Sequence, residues 1–436
     1  MSRMKKIGGN ADMGATMILP EVEVTDEFFS RPARIKSLPM ALLNKARIGI
    51  FGAGAIGTTM IPLLVNSGCM HLVFVDMDCL ERSNFAKTGM VYNLDEDCGQ
   101  PKAVMAAKRA QAAMYAGGEA YGVDMNIYDL GVDFIRQLDY VVSCVDDIDV
   151  RKYLNDLCRE AGVPFFETGT DGLLAQTQCY DHTEGCYSCN GPERAYRVSC
   201  AVRYREDVED GNVPSCQLAS TMSATLCVYN LLKAICGNRE VYNKQHYFDG
   251  NNGKFFEFKM PKNDICEHCS TDDAMDLLGT QSHEMDGDVM HMTRAEFQEK
   301  IDALLPGENK LFWPGVFVKY DYCPVCGEKK RVYAPARRVK KESLYCKGCL
   351  GGEERYQSRN LEAEIYDVLD EPMEEDVKAM TLFDLGYSVG GPIYVLNDQV
   401  NYHAFYLKDD MKLVLPERFI RPAAHEKAGE GNAELS

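Results

Sequence analysis

Residues 45–102 read KARIGIFGAGAIGTTMIPLLVNSGCMHLVFVDMDCLERSNFAKTGMVYNLDEDCGQPK, and this stretch decides the fold. Its apolar run at 48–51 predicts a buried parallel strand, which Gly52, Gly54 and Gly57 follow at once. In such a turn the first glycine permits the bend, the second lets the backbone approach a phosphate, and the third lets the next helix pack closely. We therefore predict a nucleotide-binding turn in an α/β sheet, with a helix beginning near Ala55.

The residues that follow the second predicted strand, at 72–75, indicate which nucleotide binds. This strand ends in Asp76, where an acidic residue commonly accepts hydrogen bonds from a ribose. The segment beyond it adds Asp78, Ser83, Asn84, Lys87 and Lys102. A dinucleotide needs little fixed positive charge, because backbone amides and a helix N-terminus hold its pyrophosphate. We therefore predict ATP rather than NAD; a doubly wound domain whose glycines only make a turn is the alternative.

A further strand, predicted at 140–145, ends in Asp146 and Asp147 before a helix that carries Arg151. Ligands of open parallel sheets bind at the carboxyl ends of the strands. Magnesium on ATP needs few protein carboxylates, because the phosphates supply other oxygen ligands. Asp146 is therefore the predicted magnesium ligand, whereas Asp147 is better explained as a cap of the following helix. The third strand of this sheet is predicted within 125–130.

These motifs resemble those of the ubiquitin-activating enzymes and their bacterial relatives of the ThiF and MoeB type, which adenylate small sulfur carriers. The family is marked by Gly-x-Gly-x-x-Gly, Asp-x-Asp-x-x-x-x-Ser-Asn-Leu-x-Arg-Gln and Asp-x-Gly-x-x-Lys. Here Lys87 stands where an arginine is usual, and it keeps the charge but lacks the planar fork. The resemblance implies a Rossmann-like adenylation fold with a parallel-rich central sheet, Mg-ATP as cosubstrate, a homodimer, and a small ubiquitin-like protein as substrate.

Two residues outside the nucleotide motifs are candidates for catalysis. Arg31 precedes the first strand, where homodimeric members of the family carry an arginine that reaches into the partner's ATP site; a solvated arginine is the alternative. Cys216 precedes a helix predicted at 222–235, and a helix N-terminus favours a thiolate. Its context resembles the activating enzyme of the ubiquitin-fold modifier, which implies a thioester on Cys216 and transfer to a conjugating enzyme. Cys200 is the second candidate, and a buried cysteine without a catalytic role is the alternative.

The chain has 18 cysteines, and four Cys-x-x-Cys hooks among them predict zinc sites. The first two hooks suit one tetrahedral, structural zinc, and the family resemblance supports joining them across 76 residues; a redox-active pair is the alternative. Their residues are Cys186, Cys189, Cys266 and Cys269. The other two form the pattern C-x2-C-x19-C-x2-C, which resembles a zinc ribbon. Their residues are Cys323, Cys326, Cys346 and Cys349.

Composition restricts the partners and the cellular location. The net charge of −19 argues against a general affinity for nucleic acid or for an anionic membrane, because phosphates would be repelled. The N-terminal residues lack the pattern of a signal peptide, and no apolar run is expected to cross a bilayer. We therefore expect a cytoplasmic protein.

The chain of 436 residues is expected to contain several modules. They are a flexible lead at 1–27, the adenylation domain at 28–270, an acidic linker and helix at 271–310, a zinc ribbon at 311–352, a small α+β accessory domain at 353–420 and a disordered tail at 421–436. The accessory segment resembles the ubiquitin-fold domain that recruits conjugating enzymes, and a β-rich domain without that role is the alternative.

Three functions remain open at this point. In the first, the protein adenylates the C-terminal glycine of a ubiquitin-like protein and then forms a thioester on Cys216. The second stops at the acyl-adenylate and serves sulfur transfer in cofactor biosynthesis. The third binds the small protein without turnover.

Overall fold

The computed structural model describes residues 29–88, 92–115, 117–190, 216–266, 268–269, 279–315, 317–322, 327–338, 362–366 and 375–421. The hooks of the predicted zinc ribbon, Cys200, the N-terminal lead and all but residue 421 of the predicted tail lie outside these ranges. The described residues form three sheets and the helices that cover them.

The largest sheet has eight strands in the order β3-β2-β1-β4-β5-β6-β7-β8. Their bounds are β1 (Arg47–Phe51), β2 (His71–Val75), β3 (Glu119–Val123), β4 (Tyr140–Ser143), β5 (Phe165–Asp171), β6 (Leu174–Tyr180), β7 (Lys244–Asp249) and β8 (Lys254–Lys259). Strands β1 to β5 pair in parallel, and β6 to β8 extend the sheet antiparallel. The predicted parallel-rich α/β sheet is therefore confirmed.

The strand order reverses between β1 and β4, so the carboxyl ends of these two strands open onto a crevice. Connecting helices cover both faces of the sheet. The helices up to residue 235 are α1 (Met40–Leu43), α2 (Ala55–Asn66), α3 (Leu94–Asp97), α4 (Lys102–Ala113), α5 (Val132–Arg136), α6 (Ile148–Ala161), α7 (Tyr187–Asn190) and α8 (Gln217–Ile235). In an open sheet of this kind, a ligand binds at the reversal point.

The position predicted for the third strand was wrong. Residues 125–130 contain a short 3-10 helix, Ile127–Asp129, and Asn126 caps it by accepting a hydrogen bond from the Tyr128 amide at 3.0 Å. The true strand, β3, is a sheet edge whose residues are mostly half-buried, so it lacks the apolar run of a central strand. Its Gly122 leaves no room for a side chain, because a Cβ there would lie 2.5 Å from the Ala103 carbonyl oxygen.

Two smaller sheets follow, with strand orders β10-β14-β15-β9 and β12-β11-β13. Their strands are β9 (Gln281–Met285), β10 (Asn309–Leu311), β11 (Phe317–Tyr322), β12 (Lys329–Pro335), β13 (Glu362–Tyr366), β14 (Ile393–Asn397) and β15 (Asn401–Leu407). The remaining helices are α9 (Arg294–Leu304), α10 (Glu375–Lys378) and α11 (Asp410–Val414). The helix predicted after the acidic segment is present as α9. Strand β9 precedes this helix and strand β10 follows it, and both belong to one sheet, where the composition indicated a linker.

The C-terminal sheets pack directly on the first sheet's helical layer. The buried carboxylate of Asp129 pairs with Arg337 at 3.3 Å and with Arg338 at 2.9 Å. Nearby, the Gly131 amide donates a hydrogen bond to the Val389 carbonyl at 2.8 Å. One hydrophobic core contains side chains from both parts of the chain. The described C-terminal residues therefore form a fixed extension of the α/β unit.

The buried carboxylate of Asp410 joins two loops of this extension. Its ionisation makes the stability of the fold depend on pH. Asp410 is 1% exposed, and its carboxylate accepts hydrogen bonds from the Val289 and Gly390 amides at 2.8 Å each. Burial raises the pKa of Asp410 to about 7, although these amides oppose the shift. The folded state then holds a proton that the unfolded state releases above about pH 4, so this group lowers stability as pH rises toward 7.

Asp410→Asn is therefore expected to unfold with a free energy that falls less between pH 5 and pH 7.5 than that of the wild type. Urea denaturation at the two pH values measures the difference. Equal pH dependence in the two proteins would contradict the assignment.

Helix α8 is the described helix that is long and apolar enough to span a membrane by length and composition. Of its most apolar window, 61% is buried inside the fold. It packs against α2, β5 and β6, as the core helix of a globular domain does. We expected no apolar run long enough to cross a bilayer, and α8 is one by length and composition. Its burial in the fold explains why it is apolar.

Candidate functional site

The glycine turn between β1 and α2 is built without room for side chains at two positions. Gly52 has φ +96°, and a Cβ there would lie 3.0 Å from the Cys144 carbonyl group. A Cβ on Gly57 would lie 2.1 Å from the Gly52 carbonyl oxygen, so only glycine lets α2 start this close to the turn. At Gly54 nothing lies within 4 Å of such an atom. The turn is therefore closed toward the sheet and open above Gly54.

A pair of glycine substitutions separates packing from ligand access. Gly57→Ala is expected to lower the free energy of unfolding by about 1–3 kcal/mol, because the methyl group would overlap a backbone carbonyl. Gly54→Ala is expected to change it by less than about 1 kcal/mol but to weaken nucleotide binding, since its methyl group would fill the open space. Urea denaturation and titration with a fluorescent ATP analogue measure the two effects. Equal destabilisation of both variants would contradict this description of the turn.

Asp76 follows β2 and points back to the glycine turn. Its Oδ2 accepts a hydrogen bond from the Ala53 amide at 2.7 Å, and its Oδ1 accepts one from the Asp78 amide at 2.9 Å. Burial raises the pKa of the Asp76 carboxyl, and the two amides and Lys102 oppose the shift. The carboxylate is thus held in one orientation beside the turn, where its remaining lone pairs can accept hydroxyl donors.

Lys102 is brought to the same place by the pairing of two loops. Its ammonium lies 2.9 Å from the Asp78 carboxylate, and its backbone amide donates to the Asp78 carbonyl at 2.8 Å. Leu80 and Gln100 continue this pairing through a backbone hydrogen bond of 2.8 Å. The Lys102 side chain is 14% exposed, whereas that of Asp78 is 58% exposed. The cation therefore has a defined position between β2 and the start of α4.

Asn84 and Lys87 lie on a 3-10 helix, Arg82–Lys87. The Asn84 Oδ1 accepts a hydrogen bond from the Glu81 amide at 2.9 Å, so this side chain closes a capping box in the structure. Lys87 is half-buried in the last turn. Sequence reasoning missed Tyr92, whose buried hydroxyl donates to the Ala53 carbonyl at 3.4 Å and so supports the glycine turn from beneath. An isolated tyrosine gives no signal of this contact.

Asp146 is exposed in the loop that follows β4, next to the glycine turn. Asp147 caps α6, as its context predicted, by accepting hydrogen bonds from the Asp149 and Val150 amides at 2.8 and 3.1 Å. An exposed carboxylate beside the open side of the glycine turn fits the donor set of magnesium on a nucleotide, whose other ligands come from phosphate and water.

Arg151 and Glu167 form a buried ion pair beneath this loop that sequence reasoning did not find. The guanidinium donates to the Val145 carbonyl from Nε at 2.9 Å and from Nη2 at 2.7 Å. Its Nη1 lies 2.9 Å from Oε1 of Glu167, which is fully buried on β5. Burial raises the pKa of Glu167, and Arg151 opposes the shift. The available signal was the arginine after Asp146, but its partner lies on another strand.

Cys216 immediately precedes α8 and is half-buried. Its Sγ lies 3.9 Å from the Gly172 carbonyl oxygen. The next residue, Gln217, donates from Nε2 to the Thr59 hydroxyl of α2 at 3.2 Å, which places the start of α8 beside the helix that follows the glycine turn. Arg31 is exposed before the 3-10 helix Pro32–Arg34, and among the described residues the structure does not bring it to the glycine turn by a hydrogen bond or ion pair.

The first two cysteine hooks meet in space. Their four Sγ atoms all lie within 4.8 Å of one another, on Cys186, Cys189, Cys266 and Cys269. Cys186 lies 3.9 Å from Cys189 and 3.8 Å from Cys266, and Cys189 lies 3.1 Å from Cys269. Sulfurs about 2.3 Å from a tetrahedral zinc are about 3.8 Å apart, so this donor set fits zinc. His268 is next to Cys269 in the chain, and its Nδ1 lies 2.8 Å from Oδ1 of Asp156.

Comparisons with known proteins agree on one family. A model described as "ThiF family" matches residues 30–268. The SAMP-activating enzyme E1 of Haloferax volcanii is 30% identical over 180 residues, which cover 40% of this chain and 59% of that protein. The sulfur carrier protein adenylyltransferase of Thermus thermophilus is 28% identical over 203 residues, which cover 45% and 66%.

Solved structures are also similar. A crystal structure of E. coli MccB with AMPCPP and MccA has a TM-score of 0.47 at 19% identity, and the match covers 57% of this chain and 75% of that chain. The chain spans between 22% and 66% of the length of the first curated relatives that it matches.

Proposed function

The chain belongs to the ThiF family, and we propose that it uses ATP to adenylate the C-terminal carboxylate of a small ubiquitin-like or sulfur-carrier protein. The observation that carries this proposal is the group of residues at the carboxyl ends of β1, β2 and β4. Its members are the open turn at Gly54, the oriented carboxylate of Asp76, the Asp78–Lys102 pair and the exposed carboxylate of Asp146. Relatives of both kinds, an activating enzyme and a sulfur-carrier adenylyltransferase, support the same reaction class.

Each of these residues has a role in binding ATP. The open side of the turn at Gly54 receives the phosphates, and Asp76 accepts hydrogen bonds from the ribose. Lys102 and Lys87 neutralise phosphate charge, while Asn84 caps the 3-10 helix that carries Lys87. Asp146 would hold magnesium, whose chemistry is to neutralise charge on the phosphates.

The adenylation step needs positioning and charge neutralisation. A carboxylate oxygen of the small protein attacks the α-phosphorus of ATP, a new O–P bond forms, and the bond to the bridging oxygen breaks. Pyrophosphate leaves with that electron pair, and Lys102 stabilises the charge that develops. In a homodimer of the kind that the family resemblance implies, the exposed Arg31 of a second copy would add a further cation.

A second step on Cys216 is the finer part of the proposal. The thiolate attacks the acyl carbon of the adenylate, a C–S bond forms, and AMP leaves as the C–O bond breaks. The position of Cys216 at the start of α8, which Gln217 links to α2 at 3.2 Å, supports this step. A conjugating enzyme would then accept the thioester. Sulfur transfer without a thioester is the second candidate, and the relative named as a sulfur carrier protein adenylyltransferase favours it.

The test is ATP–pyrophosphate exchange with candidate small proteins, followed by a non-reducing gel. The matched variants are Cys216→Ala and Cys236→Ala, since both cysteines are half-buried at opposite ends of α8. We expect exchange in all proteins and a thiol-sensitive adduct in all except Cys216→Ala. An adduct that survives Cys216→Ala would move the nucleophile to Cys200 or another cysteine. Exchange without any adduct would favour sulfur transfer, and no exchange with any candidate would overturn adenylation.

A further inference from the structure

The loop that carries Asp146 is held from two sides by the protein interior. On one side it rests on Gly52, where an added Cβ would lie 3.2 Å from the Val145 amide nitrogen. The Cys144 amide also donates to the Phe51 carbonyl at 2.7 Å and continues the pairing of β4 with β1. On the other side it meets Arg151. The loop is thus clamped between the glycine turn and a buried guanidinium.

The Arg151 guanidinium donates two hydrogen bonds to one carbonyl oxygen, that of Val145. Arg151 is 8% exposed, and both Nε and Nη2 donate to the Val145 carbonyl, which immediately precedes Asp146. Two donors in a rigid plane fix the direction of that carbonyl more closely than one flexible ammonium would. A rotation of the Val145 peptide would therefore break two hydrogen bonds and change the direction in which Asp146 leaves the sheet.

Glu167 holds the guanidinium in this position at an energetic cost. The carboxylate is fully buried, and Nη1 of Arg151 lies 2.9 Å from its Oε1. Neither carboxylate oxygen has an aligned hydrogen-bond donor among the described residues. Desolvation of such a pair commonly offsets its attraction, so a net gain in stability is a weak explanation for it. The pair instead keeps the Arg151 guanidinium charged beneath the loop, where its two hydrogen bonds to the Val145 carbonyl set its orientation.

The sheet leaves room for this arrangement. Gly169 lies two residues after Glu167 on β5, and a Cβ on it would lie 3.2 Å from Nη2 of Arg151 and 3.5 Å from Oε1 of Glu167. Glu167 itself is paired with Ser143, the last residue of β4. The ion pair is therefore built into the two strands whose carboxyl ends border the site.

We propose that Arg151 and Glu167 are positioning residues that fix the Val145 carbonyl and thereby aim the Asp146 carboxylate at the metal of bound Mg-ATP. This inference rests on the proposed function, because it takes Asp146 as the residue that holds the metal. Both side chains are buried under the loop, so they act through it rather than by touching the nucleotide.

The test is the magnesium dependence of ATP-analogue binding, measured by equilibrium dialysis over a range of Mg²⁺ concentrations. Glu167→Gln is expected to raise the Mg²⁺ concentration for half-maximal binding by about 10-fold or more, as the loss of a residue that orients a metal ligand does. Arg151→Lys keeps the charge but loses the fork, and we expect a shift in the same direction. The control, Asp410→Asn, removes a buried carboxylate that accepts from the Val289 and Gly390 amides and not from this loop, and it is expected to shift that concentration by less than about twofold.

A double-mutant cycle separates positioning from general destabilisation. In an Asp146→Asn background, Glu167→Gln is expected to cause no further shift in the Mg²⁺ requirement, because the aimed carboxylate is already gone. Circular dichroism verifies that each variant is folded. An additive effect, a shift equal to that of Asp410→Asn, or unfolding of both Glu167→Gln and Arg151→Lys would overturn the inference.

The same measurements distinguish this inference from the proposed function. A wild type that binds Mg-ATP with the expected variant effects but exchanges no pyrophosphate would overturn adenylation and leave the positioning role supported. A wild type that exchanges pyrophosphate, with no effect of Glu167→Gln on the Mg²⁺ requirement, would overturn the positioning role alone. A wild type that does not bind Mg-ATP would overturn both.

Discussion

Lys102→Ala is expected to slow ATP–pyrophosphate exchange by about 10²–10³-fold, as the loss of one preorganised charge-stabilising donor does in other enzymes. The ammonium is 14% exposed and lies 2.9 Å from the Asp78 carboxylate, so it is oriented before the nucleotide arrives. Because this orientation requires no rearrangement during the reaction, the cation is already in place to stabilise charge on the phosphates in the transition state. The measurement is the exchange rate at saturating ATP and small protein.

The control for this variant lies on the same helix. Lys108 is on α4 and exposed, and Lys108→Ala is expected to exchange pyrophosphate at the wild-type rate. Asp78→Asn keeps Lys102 but removes its partner, so we expect a smaller loss than in Lys102→Ala. Equal rates for Lys102→Ala and Lys108→Ala would show that Lys102 stabilises no charge in the rate-limiting step.

The elements nearest to the glycine turn could be predicted because their signals are local in the chain. A strand of five residues, a turn that excludes Cβ atoms at Gly52 and Gly57, and an acidic residue after the next strand all follow from spacing within about two dozen residues. Asp147 as a helix cap is equally local, since the two amides that donate to its carboxylate lie within three residues. Such features need no knowledge of the remaining fold.

Pairings between distant segments could not be predicted in this way. Arg151 and Glu167 lie on different elements, and nothing in either local sequence marks the other as its partner. The segment before α9 is polar and acidic, yet strand β9 pairs in parallel with β15, more than a hundred residues later in the chain. Edge strand β3 was misplaced for a related reason, because half-buried positions weaken its apolar pattern. Tertiary packing decides all three cases.

The cysteine hooks combine a local signal with a pairing between distant segments. Each Cys-x-x-Cys is a local signal, but their pairing depended on the family resemblance, and the structure brings the first two together. Burial and the neighbouring thiols raise the pKa of Cys186 to about 12, so without a cation this thiol stays protonated at neutral pH. A bound zinc would hold all four sulfurs as thiolates. Its contribution to stability should therefore be large.

Cys269→Ser is expected to lower the free energy of unfolding by roughly 4 kcal/mol or more, because the loss of a structural metal is among the few single changes that reach this size. The cluster joins α7, which follows the large sheet's antiparallel strand β6, to the segment after β8. Without a metal, that tie between distant parts of the chain would depend on weak thiol contacts alone. Urea denaturation measures the stability, and metal analysis should show one zinc ion fewer per chain.

Cys236→Ser is the matched control, because Cys236 is also half-buried but ends α8 away from the cluster. We expect its unfolding free energy to change by less than about 1 kcal/mol and its zinc content to stay at the wild-type value. A chelator should lower the stability of the wild type and of Cys236→Ser and have a smaller effect on Cys269→Ser, which has already lost this ion. Equal zinc content in the two variants would mean that these four thiols hold no metal, and their closeness would then reflect packing alone.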